Sequence, residues 1–546
     1  MSAVRLGRIG FATALVALAA ILAPGTVLLD AGISPTTSFK NVSASTLKAY
    51  DDASGKPLDT ILLIDHSAIS HPAVVALADK LQPIGGSVFR ASLTSSEVRT
   101  LVGVEGLTLN VNHPTSVQPI KEPAKTADIP DLLWDSGVTV PETDPSLVAT
   151  REALGVDGTG VLVAVLDTGV DSTALGLGNG KVVHREDFST APSDSSCTDN
   201  GNLDPYGHGT HVASMIAGVV DSRDSAIEGV APGASILDLR VLNCAGSGYM
   251  GDVDAALQWI LDHRTEYPVK VVNLSLGAAD VQKDGLDSTS ILVNRLVAQG
   301  IFVAIAAGNS GDGAGTISAP GTAEFATTVS AATVNKYGAF LAPFTSMGPT
   351  SDGRTGIDIT APGGGIRAAL TTPKVFGPHY ETTMSGTSMA TPYVAGVAAL
   401  LAQQHPNAMP TGTLCDVSAD CPSGVVKASM TNGIQALMRT SDWFEEGIDA
   451  KSGAGLVSAS ASLTGRAISP ARYEHLTTDE NSQNVIRIGP HTSGYTVSLL
   501  TDTSYRTDMW DHVGTFSVTV VDDSYNANPA SFKAAIDVLA AHHGVR

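Results

Sequence analysis

Apolar and polar positions alternate along the chain with two distinct periods. Near the N-terminus, ILLI (61–64) is an unbroken apolar run and reads as a buried strand. HPAVVALADKL (71–81) has helical spacing with Pro72 at its start, where a missing N–H costs nothing. GGSVFRASL (85–93) reads as a turn and a strand. TSSEVRTLVG (94–103) opens with a hydroxyl cap and places Glu97 one turn later, a helix-start signature. LTLNVN (107–112) is a last short strand. This order predicts a small α+β unit. Farther on, VLVAVL (161–166), SILDLRVL (235–242), VKVVNLSL (269–276) and IFVAIAA (301–307) are apolar on both faces. They alternate with helical stretches at 209–220, 252–263, 290–300 and 388–404. Strands buried on both faces, separated by helices, predict an α/β domain with a parallel sheet sandwiched between helices. Beyond 465, GYTVSLL (494–500) and TFSVTVV (515–521) alternate like half-buried strands, and FKAAIDVLAAHH (532–543) is helical.

The chain has 546 residues, too many for one ordinary domain. From 114 to 145, Pro, Thr, Asp and Glu dominate, which is linker chemistry. That segment separates a unit over 32–113 from a larger domain over 146–465, and a short extension follows over 466–546. Residues 1–31 carry Arg5 and Arg8, then an apolar run from Ile9 to Ala23 broken by Pro24 and Gly25. They read as a secretory signal peptide, hence a secreted protein. An uncleaved membrane anchor is the alternative, because the run resumes at Val27, Leu28 and Leu29. The formal net charge is −22, which excludes nucleic acid and anionic membranes as partners. Cys197, Cys244, Cys415 and Cys421 are an even number, as expected of disulfides in an exported chain, and none shows the paired spacing of a zinc site.

In open α/β sheets, sites form beyond the carboxyl ends of the strands. Asp167 ends the strand in VLVAVLDTGVD (161–171). Asn309 follows another strand, in AIAAGNSG (304–311). His208 starts a helix in YGHGTHVAS (206–214), and Ser388 starts one in MSGTSMATPYVAG (384–396). An acid, an imidazole, a hydroxyl and an amide are the set that acyl transfer needs. A serine hydroxyl is a poor nucleophile until a base such as His208 takes its proton. Asp167 would hold the imidazole in the right tautomer and stabilise its cation. The Asn309 amide and the Ser388 N–H would receive the oxyanion at a helix N-terminus. Singly, each residue also reads as a cap or turn residue; jointly, the peptidase reading prevails. His211 reads as structural, since one imidazole suffices.

The segments DTG, HGTH, AAGN and GTSMATPYVAG, in that order over about 146–465, resemble the subtilase family of serine peptidases. The Asp, His, Ser order is the one known from subtilisins. The resemblance implies a subtilisin-like fold and a serine endopeptidase, a hydrolase of proteins or peptides that needs no cofactor. It implies that Gly246, Ser247 and Gly248 on one side, and Ser275, Leu276 and Gly277 on the other, pair with an extended substrate. Ala306, Ala307, Gly308 and the SAPG turn (318–321) resemble the walls and base of the pocket for the residue before the scissile bond. They hold no carboxylate, so a broad or apolar preference is expected there, not Arg or Lys. The unit over 32–113 resembles the family's inhibitory propeptide, its last strand docking at the substrate edge, which implies a zymogen. The mature enzyme is expected to be a monomer. In the resembled fold Cys197 and Cys244 rim one cleft, which implies a disulfide between them, and a second is expected between Cys415 and Cys421. Asp221, Asp224 and Glu228 sit where some relatives bind calcium. They read first as an acidic surface loop, with a structural calcium as the alternative.

VDDSYNANPASFKAAIDVLAA (521–541) resembles a stretch of the Mur ligases, but the phosphate-binding G-x-x-x-x-G-K-[ST] loop is absent from the chain, so no ligase activity is expected. Two rivals to the peptidase are a binding protein on an inactivated subtilase scaffold and a sedolisin-type peptidase. The first should lack a member of the triad, and none is missing. The second should carry Glu where His208 stands.

Overall fold

The computed structural model describes residues 44–117, 137–191, 204–220, 227–278, 284–371, 380–411, 432–441 and 451–465, apart from positions 67, 312 and 336–337. It also describes the bridge residue Val42 and the backbone of four strands in the C-terminal region. The N-terminal unit is a four-stranded antiparallel sheet. Its centre is Leu58–Ile64, flanked by Val88–Leu93 and Leu107–Val111, with Gln82–Gly85 at one edge. Alternation sorts its faces. Leu62, Ile64, Phe89, Leu93 and Leu109 pack under the unit's own helices. Ile61, Leu63 and Val88 instead join the core of the large domain. Ser95–Leu101 is a helix with the expected capping box, in which Glu97 reaches back to Thr94.

Two local expectations need correction. The helix expected over 71–81 covers only Pro72–Val75. The chain then runs through turns into the strand Gln82–Gly85, because pairing with Val88–Leu93 satisfies its backbone better than continuing a helix into Pro83 would. A helix over Ala44–Asp52, which the pattern did not signal, packs its Tyr50 into the same core. The segment read as linker is structured at both ends: Pro114–Ser116 is a strand, and Val140–Thr143 is a helix capped by Thr139 and Glu142.

The large domain is built on a ten-stranded sheet. In spatial order its strands are 439–441, 456–458, 359–364, 327–335, 302–306, 269–274, 162–167, 235–240 and 182–187, with 338–341 paired to 327–335. Every pairing is parallel except those of 439–441 and 338–341. Helices cover both faces. Val163 and Val165 point toward His208–Ala217 and Thr387–Gln404, in a core with Val212, Ile216, Met389 and Val394. Ala164 and Leu166 point the other way, toward Met250–His263 and Ser288–Ala298. The chain order reverses beside Leu162–Asp167, whose neighbours are 235–240 on one side and 269–274 on the other. A crevice forms at such a reversal, beyond the carboxyl ends of the strands. Four strands, Glu474–Thr478, Asn484–Ile488, Thr496–Thr501 and Ser517–Val521, form a separate antiparallel meander. No helix among the described residues is long and apolar enough to cross a membrane. The expected signal segment, the linker interior and the Mur-like stretch beyond Val521 lie outside the described residues.

Candidate active site

Asp167 is the last residue of its strand and is buried at the floor of the crevice. Its Oδ1 accepts hydrogen bonds from the Thr168 N–H at 2.7 Å and from His208 Nδ1 at 2.8 Å. His208 is the first residue of its helix, and Gly207 caps that helix at φ 91°, a conformation that favours glycine. With Nδ1 bound to the carboxylate, Nε2 faces away and has no hydrogen-bond partner.

Ser388 is the second residue of the helix Thr387–Gln404, whose N-cap is Gly386, not Ser388 itself. In this state its Oγ–H donates to the carbonyl oxygen of Ser275 at 3.1 Å, and Ser275 Oγ–H donates back to the Ser388 carbonyl at 3.0 Å. Asn309 lies just past the strand Phe302–Ala306. Its Oδ1 accepts from the Thr387 N–H and hydroxyl, both at 2.9 Å, and this fixes the amide. A Cβ built on Gly386 would lie 3.3 Å from Asn309 Nδ2 and 3.5 Å from Ser388 N. Asn309 Nδ2 and the Ser388 backbone nitrogen thus lie close to one another beside the serine.

The groove beside these residues is occupied by the chain itself. Pro114–Ser116 pairs antiparallel with Ser247–Tyr249. On its other side Ser116 exchanges backbone hydrogen bonds with Gly277 at 3.3 and 3.4 Å, and the Val117 N–H donates to the Gly246 carbonyl at 2.9 Å. Residues 114–117 thus run between the two segments expected to flank an extended substrate. It is not the strand Leu107–Val111 that enters the groove but the residues just after it. Below the groove, Ser318 Oγ lies 2.6 Å from the Cβ positions of both Gly277 and Gly308, so these glycines let the two walls close on that hydroxyl.

The subtilase family (Peptidase S8) profile matches residues 158–455, more than half of the chain. The protein is a subtilase. Serine protease AprX of Bacillus subtilis (strain 168) is 32% identical to it over 351 residues, which are 60% of this chain and 72% of that protein. The thermostable alkaline protease of Halalkalibacterium halodurans is 33% identical over 294 residues, 53% of this chain and 71% of that one. The solved structure of Sphericase shares 30% identity, covers 55% of this chain and 91% of its own, and superposes with a TM-score of 0.42. As a subtilase the chain is a serine peptidase, a hydrolase acting on protein or peptide substrates.

The electrostatics of the subtilase site suit a base. Burial pushes His208 toward its neutral form, but the charge and hydrogen bond of Asp167, with the charge of Asp204, outweigh it and hold the imidazole above its ordinary pKa. His211, one turn along, has no such partner: burial pulls it down to about 3, and its Nε2 lies 3.1 Å from the Ile366 carbonyl. It is a neutral structural histidine. Glu228 forms an ion pair with Arg151 at 2.9 Å, and that guanidinium is itself buried against the Gly229 and Val230 carbonyls. Asp221 and Asp224 lie outside the described residues, as do Cys197, Cys415 and Cys421, while Cys244 is disulfide-bonded. The sequence reading passed over Asp204, four positions before His208; its signal was a carboxylate just ahead of a helix start.

Proposed function

We propose that this subtilase is a secreted endopeptidase, made as a zymogen, in which Ser388 is the nucleophile, His208 the general base and Asp167 the residue that orients His208. The 2.8 Å bond between Asp167 and His208 Nδ1, which leaves Nε2 without a hydrogen-bond partner, carries the reading. Rotation of the Ser388 side chain off the Ser275 carbonyl brings Oγ–H to Nε2. As Oγ attacks the substrate carbonyl, the proton passes to Nε2 and the C–O bond forms. The negative oxygen is received by Asn309 Nδ2 and the Ser388 N–H. The C–N bond then breaks, Nε2 returns its proton to the leaving amine, and water repeats the sequence on the acyl-enzyme. No cofactor enters these steps.

The unit over 32–113 acts as an inhibitory propeptide. Residues 114–117 lie in the substrate groove, and Asn110 and Asn112 place their side-chain oxygens on the N–H groups of Ser288 and Gly251, at 3.0 and 2.8 Å. Residues 1–31 direct export, consistent with the oxidised state of Cys244; Cys197 is its proposed partner, and Cys415 pairs with Cys421. The mature enzyme acts as a monomer. Walls of Ala306, Ala307 and Gly308, which hold no carboxylate, suit a broad or apolar preference before the scissile bond.

Ser388→Ala tests the reading directly. The variant should fold, accumulate as an unprocessed precursor by mass spectrometry, and hydrolyse no peptide. Turnover at the wild-type rate would reject Ser388 as nucleophile.

A further inference from the structure

Beneath the catalytic pair lies a second carboxylate that the reaction scheme does not use. Asp204 is fully buried. Its Oδ1 accepts from the Thr168 hydroxyl and the Gly207 N–H, both at 2.8 Å. Its Oδ2 accepts from the Thr210 N–H at 2.8 Å and the Thr210 hydroxyl at 2.6 Å. Each hydroxyl is also an acceptor: the Gly209 N–H donates to Thr168 Oγ1, and the Asp171 N–H donates to Thr210 Oγ1, both at 2.9 Å. Their own protons are therefore left for Asp204. Four protons converge on two oxygens, an arrangement that favours the ionised carboxylate against the burial that pushes its carboxyl up.

The donors come from the two elements that must meet for catalysis. Thr168 follows Asp167 at the end of its strand, and Gly207 and Thr210 flank His208 in the first turn of its helix. We infer that Asp204 is a positioning residue for the subtilase reaction, a buried anion that clasps the Asp167 strand end to the His208 helix and adds a second negative charge to the field of the imidazole. This rests on the assignment of Asp167 and His208 made above. Of the other titratable groups near the imidazole, His211 is held neutral by burial, burial pushes the Tyr206 phenol further up, and the Asp171 carboxylate is engaged by Thr173 and Thr371. Asp167 and Asp204 are then the charges that set the base.

Asp204→Asn and Thr168→Val separate the two roles. Asn keeps the shape but removes the charge and turns an NH2 group toward N–H donors. Val keeps the charge and removes one strap of the clasp. Both are made in the full chain. After maturation, kcat and KM are measured across pH, scaled to the fraction of active serine by a covalent serine-reactive titrant. Asp204→Asn should lower kcat about tenfold or more with little change in KM. It should also move the acid limb of kcat/KM to lower pH by on the order of half a unit. Thr168→Val should lower kcat with the acid limb unmoved. A folded Asp204→Asn enzyme with wild-type kcat and an unmoved acid limb would overturn the inference. If that variant does not fold, Thr168→Val decides, and a kcat within twofold of wild type overturns it. Hydrolysis that persists at the wild-type rate in Ser388→Ala would instead reject Ser388 as the nucleophile, an outcome these two variants do not mimic.

Discussion

Ser388 and Ser275 hold each other through a reciprocal pair of hydrogen bonds, each hydroxyl donating to the other's backbone carbonyl, at 3.1 and 3.0 Å. Ser275 also begins the segment whose Gly277 pairs with the peptide in the groove. Ser388 is thus tied to one wall of the groove through Ser275. The helix N-terminus behind it is fixed by Asn309, whose Oδ1 holds the Thr387 N–H and hydroxyl.

Asn309→Ala should therefore fold, with a modest loss of thermal stability from the unpaired Thr387 donors, and lose roughly 10²–10³ in kcat at similar KM. That is the loss known for removing one oxyanion donor in subtilisin. Steady-state kinetics on titrated enzyme check it. A rate within a factor of two of wild type would leave Asn309 a purely structural role.

The N-terminal unit meets the large domain through two asparagines on one face of Leu107–Val111 and the residue after it. Asn110 accepts the Ser288 N–H at the start of the helix Ser288–Ala298, and Asn112 accepts the Gly251 N–H in the first turn of Met250–His263. A side-chain cap contributes about 1 kcal/mol. The double variant Asn110→Ala, Asn112→Ala in a separately expressed 32–145 fragment should inhibit mature enzyme at least tenfold more weakly than the unaltered fragment. Inhibition by the unaltered fragment should itself fade as the fragment is digested. Equal inhibition constants for the two fragments would remove the caps from the account of binding.

Asp254, on the helix Met250–His263, receives the hydroxyls of Ser288 at 2.6 Å and Thr289 at 2.5 Å. Burial pushes its carboxyl up to about 7, with Asp287 and Asp252 adding repulsion that those hydroxyls only partly offset. Its folded pKa thus lies above the unfolded value of about 3.9, so its contribution to stability is present below that value and is lost as pH rises toward 7. In a Ser388→Ala background, which prevents autolysis, Asp254→Asn should melt higher than its parent at pH 8, and the gap should close at pH 4. Thermal melts at the two pH values test this. A lower Tm for Asp254→Asn at pH 8 would contradict the sign.

Much of this protein is determined by local sequence. Runs such as VLVAVL and IFVAIAA are apolar on both faces, and only a sheet covered on both sides buries them, so the parallel α/β core follows from period and burial alone. Asp167, His208, Asn309 and Ser388 sit at strand ends and helix starts, and their neighbours repeat in an order that marks the subtilase family. Other features depended on tertiary structure. The helical period of 71–81 yields to strand pairing at Gln82, because a distant partner, Val88–Leu93, competes for the backbone. Pro114–Ser116 has the composition of a linker and becomes a strand only because Ser247–Tyr249 and Gly277 offer backbone groups on either side. Asp204 looks like any loop carboxylate in the sequence. Its role emerges once the Asp167 strand end and the His208 helix start come together and aim four protons at it, since hydrogen-bond convergence is set by the packing of remote segments and leaves no period along the chain.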